Sequence, residues 1–333
     1  MDIPTRTTAV ANTRPGAPDV LVDVSLEIPT PGPHDLLVEV RAVSVNPADV
    51  KVRAGVDPGG QPKVLGFDAA GVVVAVGDAV SAFDVGDEVF YAGSIGRPGT
   101  NQQFHLVDER ITGHKPASLD FAEAAALPLT SITAWESLFD RWKLTVGSTG
   151  TLLVLGAAGG VGSMLVQLAR QLTGLTVIAA VSRPASGDWA RELGAHEVVD
   201  RRDLVAEVTR LVPRGVDYLF SPFSAGMVET YARVMAVGGS VVAIDEPESL
   251  DTLPFKEKSQ SWQWEFMFSR PLHDPESTAQ RDLLDTVARL VDAGTLRTTL
   301  TTRLSPIDAR TLREAHRLLE TSETIGKVVV AAR

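Results

Sequence analysis

The chain has 333 residues, 44% hydrophobic and 22% charged, with a net charge of −11 and no cysteine. That length suits two domains with a substantial core, and the acidic balance argues against nucleic acid or an anionic membrane surface as partner. The missing thiols exclude disulfides, thiolate metal sites and cysteine nucleophiles, and they suit a reducing cytoplasm.

The first residues, MDIPTRTTAVANTRPG, lack the apolar core of a signal peptide, and no stretch is apolar for long enough to span a bilayer. From Leu36 to Asp87 short strands alternate with turns: LLVEVRAVSV alternates in part, AGVVVAV is a β-branched run, and Gly77-Asp78 and Gly86-Asp87 punctuate them. This part is expected to be a β-rich barrel or sandwich. From about Ala122 strands alternate with helices: TLLVL, a helix after Gly162, TVIAAV, a helix around Trp189 to Leu193, EVVD, VDYLF, and SVVAI after Gly238-Gly239. That order predicts a parallel sheet with helical crossovers. A helix over about Glu276 to Ala293, the segment TLTTRLS, a helix near Ala309 to Glu320 and a final strand GKVVVAA follow, and these are expected to return to the first domain.

The stretch VLGAAGGVGSMLVQLAR, Val154 to Arg170, reads as an apolar strand, a glycine turn and a helix with Val161, Leu165, Leu168 and Leu172 on one side and Gln167, Arg170 and Gln171 on the other. Gly156, Gly159 and Gly162 form a GxxGxxG variant of a dinucleotide turn, which needs a tight bend, no Cβ where backbone meets a pyrophosphate, and close helix packing. Gly156, Ala157, Ala158, Gly159, Gly160, Val161 and Gly162 are therefore the expected pyrophosphate seat, with the helix N-terminus aimed at the anion. An acid about 20 residues further on would select NADH by accepting from the 2′-hydroxyl. Here Ser182 and Arg183 follow the second strand, Arg183 lying 21 residues beyond Gly162, and both can donate to a 2′-phosphate. NADPH is the expected cofactor.

The segments VSVNPADVKVRAG, VLGFDAAGVVVAVG, VGDEVFYAG, AAALPLTSITAWESL, VLGAAGGVG and IGKVVV resemble, over nearly the whole chain, the medium-chain dehydrogenase/reductase superfamily and specifically its zinc-independent, quinone oxidoreductase-like branch. The resemblance implies an α/β protein: a GroES-like β-rich catalytic domain over residues 1–125 and 271–333, a Rossmann doubly wound parallel-sheet domain over 126–270, a cleft between them, and a homodimer. Zinc-containing relatives place a cysteine where this chain has Asn46 and a histidine where it has Phe67, and carry a four-cysteine lobe between the regions matching Tyr91 and Lys115. Phe67 cannot ligate a metal and the six histidines show no ligand spacing, so no metal site is expected.

The counterpart of Asn46 faces nicotinamide and substrate, so the resemblance makes Asn46 a cofactor contact and a candidate donor to a substrate oxygen; a local Asn-Pro turn is the plainer account. Asp49 is a candidate for orienting that loop or relaying a proton, and Tyr91, the sole tyrosine of the catalytic part, for phenolic donation. The resemblance further implies cofactor contacts at Thr130 and Thr133, at Phe220 and Ser221 on the adenosine side, at Ile244 and Asp245 on the nicotinamide side, at Phe266, Met267 and Phe268, and at Lys327. The activity it implies is zinc-independent, NADPH-dependent reduction of a small-molecule quinone or enone, since conjugated acceptors need less polarisation than an isolated ketone. A non-enzymatic dinucleotide-binding redox sensor or interaction protein uses the same segments and stays open.

Overall fold

A computed structural model describes residues 3–332, and the chain divides into two compact units, Met1–Ile132 with Phe268–Arg333, and Thr133–Met267. No helix among the described residues is long and apolar enough to cross a membrane.

The first unit is built on a seven-stranded sheet. Its spine is the strand Asp35–Ser44, which pairs antiparallel with Ala69–Val76, Phe104–Asp108 and Lys327–Ala331. This strand is covered on both faces, which explains why LLVEVRAVSV alternates only in part: Leu36, Leu37, Val38, Val40, Ala42 and Val43 are all buried. Leu300–Leu304 lies outside Lys327–Ala331, while Glu88–Tyr91 and Thr112–His114 extend the other side. A second sheet joins Val22–Glu27, Arg6–Asn12 and Lys63–Val64. The chain's last strand thus sits beside its third, so two distant stretches of sequence complete one sheet.

The second unit is a six-stranded, wholly parallel sheet in the order Glu197–Asp200, Gly174–Val181, Thr149–Leu155, Val216–Ser221, Met235–Ala243, Ser261–Trp264. Numbered along the unit, this is the 3-2-1-4-5-6 order of the Rossmann fold, with its switch point between Thr149–Leu155 and Val216–Ser221. The sixth strand was not legible in sequence. It has four residues, SWQW, no hydrophobic alternation beyond two tryptophans, and its identity depends on pairing with Met235–Ala243.

Between the first two strands of the unit runs the helix Gly160–Leu172. Its faces differ from the expected division: residues Gly162 to Ala169 are all buried, including Gln167, whereas Val161 and Leu172 are only partly covered. A helix enclosed almost all round hides its polar residues by local bonding, and Gln167 Nε2 turns back to the Ser163 carbonyl at 3.4 Å.

The glycines before this helix do different work. Gly156 has φ +64°, a conformation that favours glycine. A Cβ on Gly162 would stand 2.3 Å from the Gly156 carbonyl oxygen and 2.7 Å from Ala157 Cα, so the helix can approach the strand only without one. A Cβ on Gly159 would meet just the Gly156 oxygen, at 3.3 Å. Gly162→Ala is expected to lower unfolding free energy by about 3 kcal/mol through overpacking, and Gly159→Ala by no more than about 1 kcal/mol, as urea denaturation would measure.

Candidate active site

Asn46 is the N-cap of the helix Pro47–Gly55, whose proline at the first position suits a start with no N–H to satisfy. Asp49, three residues on, reaches back to accept the Asn46 N–H at 2.7 Å and also takes the Gly66 N–H at 2.9 Å. It therefore clips the start of the helix to the turn before Phe67. Burial pushes the Asp49 carboxyl up to about 7, against the opposing pull of the Asn46 N–H and the Lys327 charge.

Asp68 is the centre of the arrangement. Its Oδ1 accepts the Leu129 N–H at 2.8 Å, in the first turn of the helix Pro128–Trp135, and its Oδ2 accepts Asn46 Nδ2 at 2.8 Å and Lys327 Nζ at 3.1 Å. Lys327 also donates to Asn46 Oδ1 at 2.5 Å and the Val45 carbonyl at 3.2 Å. Asn46, Asp68 and Lys327 are all buried. Burial drives the Asp68 carboxyl upward, opposed by the ammonium and the three hydrogen bonds.

This geometry revises three expectations. Both hydrogens of the Asn46 amide face protein acceptors, one on Asp68 and the other near the Phe67 and Ser44 carbonyls at 3.3 and 3.4 Å, so the amide is a strut and has no hydrogen to offer a substrate. Lys327, expected at the cofactor, points into the cluster. Tyr91 is no free phenolic donor either. Its ring stacks on His105, with centroids 5.4 Å apart, and its hydroxyl lies 3.1 Å from His105 Nδ1. His105 Nε2 faces the Pro98 carbonyl at 3.0 Å, which can only accept, so Nδ1 takes the proton of Tyr91. Burial holds this imidazole neutral by lowering it to about 4, and pushes the phenol up.

Phe67 lies edge-to-face on Phe268, ring centroids 5.0 Å apart, both buried. No group of three or more histidine, cysteine, aspartate or glutamate side chains able to hold a metal occurs among the described residues. Thr130, on the helix that Asp68 caps, gives its hydroxyl proton to the Leu127 carbonyl at 3.0 Å and is buried.

In the second unit the expected cofactor residues gather at the C-terminal ends of the parallel strands. Gly156 to Gly162 follow Thr149–Leu155, Ser182 and Arg183 follow Gly174–Val181, Ser221 ends Val216–Ser221, and Ile244 and Asp245 follow Met235–Ala243. That edge is where open α/β sheets bind ligands. The Phe220 side chain is buried in the core, and the Ser221 hydroxyl is 2.7 Å from the Tyr231 hydroxyl. Asp245 takes the Ser224 N–H at 2.6 Å and its hydroxyl at 2.5 Å, which fixes the loop after Val216–Ser221. Thr133 and Met267 are buried, and Phe266 is exposed. Sequence reasoning missed Glu265, a buried carboxylate paired with Arg141 Nε at 2.8 Å beside these aromatics. Only the fold brings those two together, across a separation of 124 residues.

A split β-rich unit and a 3-2-1-4-5-6 parallel sheet in one chain mark an oxidoreductase fold, and matches to known families agree. The alcohol dehydrogenase GroES-like domain matches residues 32–132 and a zinc-binding dehydrogenase family matches residues 193–330. The chain belongs to the medium-chain dehydrogenase/reductase superfamily. It is 37% identical to a zinc-type alcohol dehydrogenase-like protein of Staphylococcus epidermidis, over 92% of this chain and 94% of that one. It is 30% identical to the chloroplastic NADPH-dependent alkenal/one oxidoreductase of Arabidopsis thaliana, over 95% and 77%. Among solved structures, a putative zinc-dependent alcohol dehydrogenase protein from Rhizobium etli CFN 42 superposes with a TM-score of 0.94 at 50% identity, covering 98% of each chain. A quinone oxidoreductase of Pseudomonas syringae superposes at 0.86 with 27% identity, covering 98% of this chain and 99% of that one.

Because Asp49 alone satisfies two buried N–H groups, Asp49→Ala is expected to cost about 3 kcal/mol of stability. Thermal unfolding monitored by circular dichroism would check this; a loss below about 1 kcal/mol would mean that water replaces the carboxylate.

Proposed function

We propose that this chain is an NADPH-dependent reductase of α,β-unsaturated carbonyls or quinones that works without zinc. The observation that carries the reading is the chemistry at the positions where zinc-containing relatives hold ligands. Asn46 is tied to Lys327 and Asp68, and Phe67 is packed on Phe268. An aromatic ring and a saturated amide give a metal ion too few donors. The 30% identity to an alkenal/one oxidoreductase named as NADPH-dependent, and the likeness to a quinone oxidoreductase, support the substrate class.

The residues at the sheet edge fit a dinucleotide. Gly159 keeps its Cβ side clear apart from one carbonyl oxygen, which suits close approach of a pyrophosphate, and the first N–H groups of the helix Gly160–Leu172 are those left without intrahelical acceptors. Ser182 and Arg183, directly after the strand Gly174–Val181, offer hydroxyl and guanidinium donors to a 2′-phosphate where an acid would repel it. When bound, NADPH supplies a hydride. Asn46, Asp49 and Asp68 hold their loops in one arrangement, while Phe67 and Phe268 make an apolar contact that suits a conjugated acceptor better than an isolated ketone, whose oxygen needs stronger polarisation.

Purified protein is expected to oxidise NADPH steadily with a panel of enones and quinones, followed at 340 nm, and to keep that activity after exhaustive chelation. Turnover lost with the metal and restored by zinc alone would overturn the zinc-independent reading. Arg183→Ala is expected to weaken NADPH about ten-fold or more and NADH far less; equal losses would remove Arg183 from phosphate recognition.

A further inference from the structure

Lys327 is a lysine in an otherwise apolar strand, KVVVA, all five residues of which are buried. Its ammonium has three hydrogens, and three protein acceptors stand within 3.2 Å: the Val45 carbonyl, Asn46 Oδ1 and Asp68 Oδ2. No donor is left for a dinucleotide phosphate. Asp68 divides its oxygens, Oδ2 toward the Lys327 and Asn46 side chains and Oδ1 toward the backbone that opens the Thr130 helix.

The Asn46 amide lies across this pair in a single permitted sense. Its oxygen must face the ammonium and its nitrogen the carboxylate; the flipped amide would set N–H against N–H and oxygen against oxygen. Loss of either charge leaves the other buried without its counter-ion, whereas loss of both does not.

We propose that Asp68 and Lys327 act as one positioning unit for the reaction, setting the Asn46 amide and the first turn of the Thr130 helix, and that Lys327 serves the cofactor site through these contacts rather than by touching the dinucleotide. The activity part of this proposal rests on the reductase reading; the binding part does not.

The test compares wild type, Lys327→Met, Asp68→Asn, the double variant, and each single variant combined with Asn46→Ala, all at 15 °C with folding checked by circular dichroism. NADPH affinity is read by fluorescence titration, and kcat and KM with one enone. With Asp68 intact, Lys327→Met is expected to weaken NADPH at least five-fold; added to Asp68→Asn, it is expected to weaken NADPH less than two-fold further. Both single variants are expected to lose at least ten-fold in kcat, and adding Asn46→Ala should lower it less than two-fold further, because the three side chains form one hydrogen-bonded unit that either single change already breaks.

Equal weakening of NADPH in both backgrounds, with kcat unchanged, would mean direct contact and overturn the proposal. An unchanged kcat in a folded but less stable Lys327→Met would leave only a structural role and overturn it equally. If Lys327→Met does not fold, Lys327→Arg carries the test. It keeps the charge, so phosphate contact predicts full activity, whereas the three-bond arrangement predicts a kcat loss. A wild type that binds NADPH but reduces no enone or quinone sinks the reductase reading, and the affinities in the two backgrounds still decide whether Lys327 touches the cofactor.

Discussion

A carboxylate buried from solvent must have both oxygens answered, and in the first unit that requirement falls on Asp68. Its partners come from three places in the sequence: Asn46, Leu129 at a separation of 61 residues, and Lys327 at a separation of 259. Leaving one buried charge unpaired costs several kcal/mol, comparable with the whole stability of a domain. The strand Lys327–Ala331 therefore cannot be placed elsewhere, and its pairing beside Asp35–Ser44 delivers the ammonium to Asp68. Asp49 makes the same argument on a smaller scale, because one side chain answers two backbone N–H groups and holds a helix start against a turn.

The apolar and aromatic contacts around this cluster decide what chemistry it leaves room for. Phe67 on Phe268 fills with rings a position where zinc-containing relatives carry a metal ligand, and Tyr91 with His105 closes a neutral pair whose proton points inward. The Asp68 carboxylate is thus answered by the Lys327 ammonium, and Asp49 by backbone N–H groups alone. Such a site suits acceptors already activated by conjugation, which is the physical link between the packing and the substrate class proposed.

The second unit follows a different constraint, backbone approach rather than charge. Gly162 lets a helix lie against its strand, Gly159 leaves the turn open on its Cβ side, and the parallel order puts the ends of four strands along one edge. Network bonds such as Asp245 to Ser224 and Arg141 to Glu265 then fix the loops beyond those ends.

Periodicity and glycine spacing determined most of the architecture from sequence alone. The β-rich start, the alternating βα order, the helices Ala279–Asp292 and Ala309–Glu320 and the last strand were all readable, because each is specified by residues close together in the chain. Residue types also carried the absence of thiols and of a histidine at Phe67. What only the tertiary structure decided were the partners. Asn46 looked like a donor and is a strut, Tyr91 looked available and is committed to His105, and Lys327 looked like a cofactor contact and is the counter-ion of Asp68. The four-residue strand Ser261–Trp264 and the Arg141–Glu265 pair were invisible for the same reason. A hydrogen bond or ion pair depends on which side chains meet, and residues hundreds of positions apart are brought together by the fold, not by any local pattern.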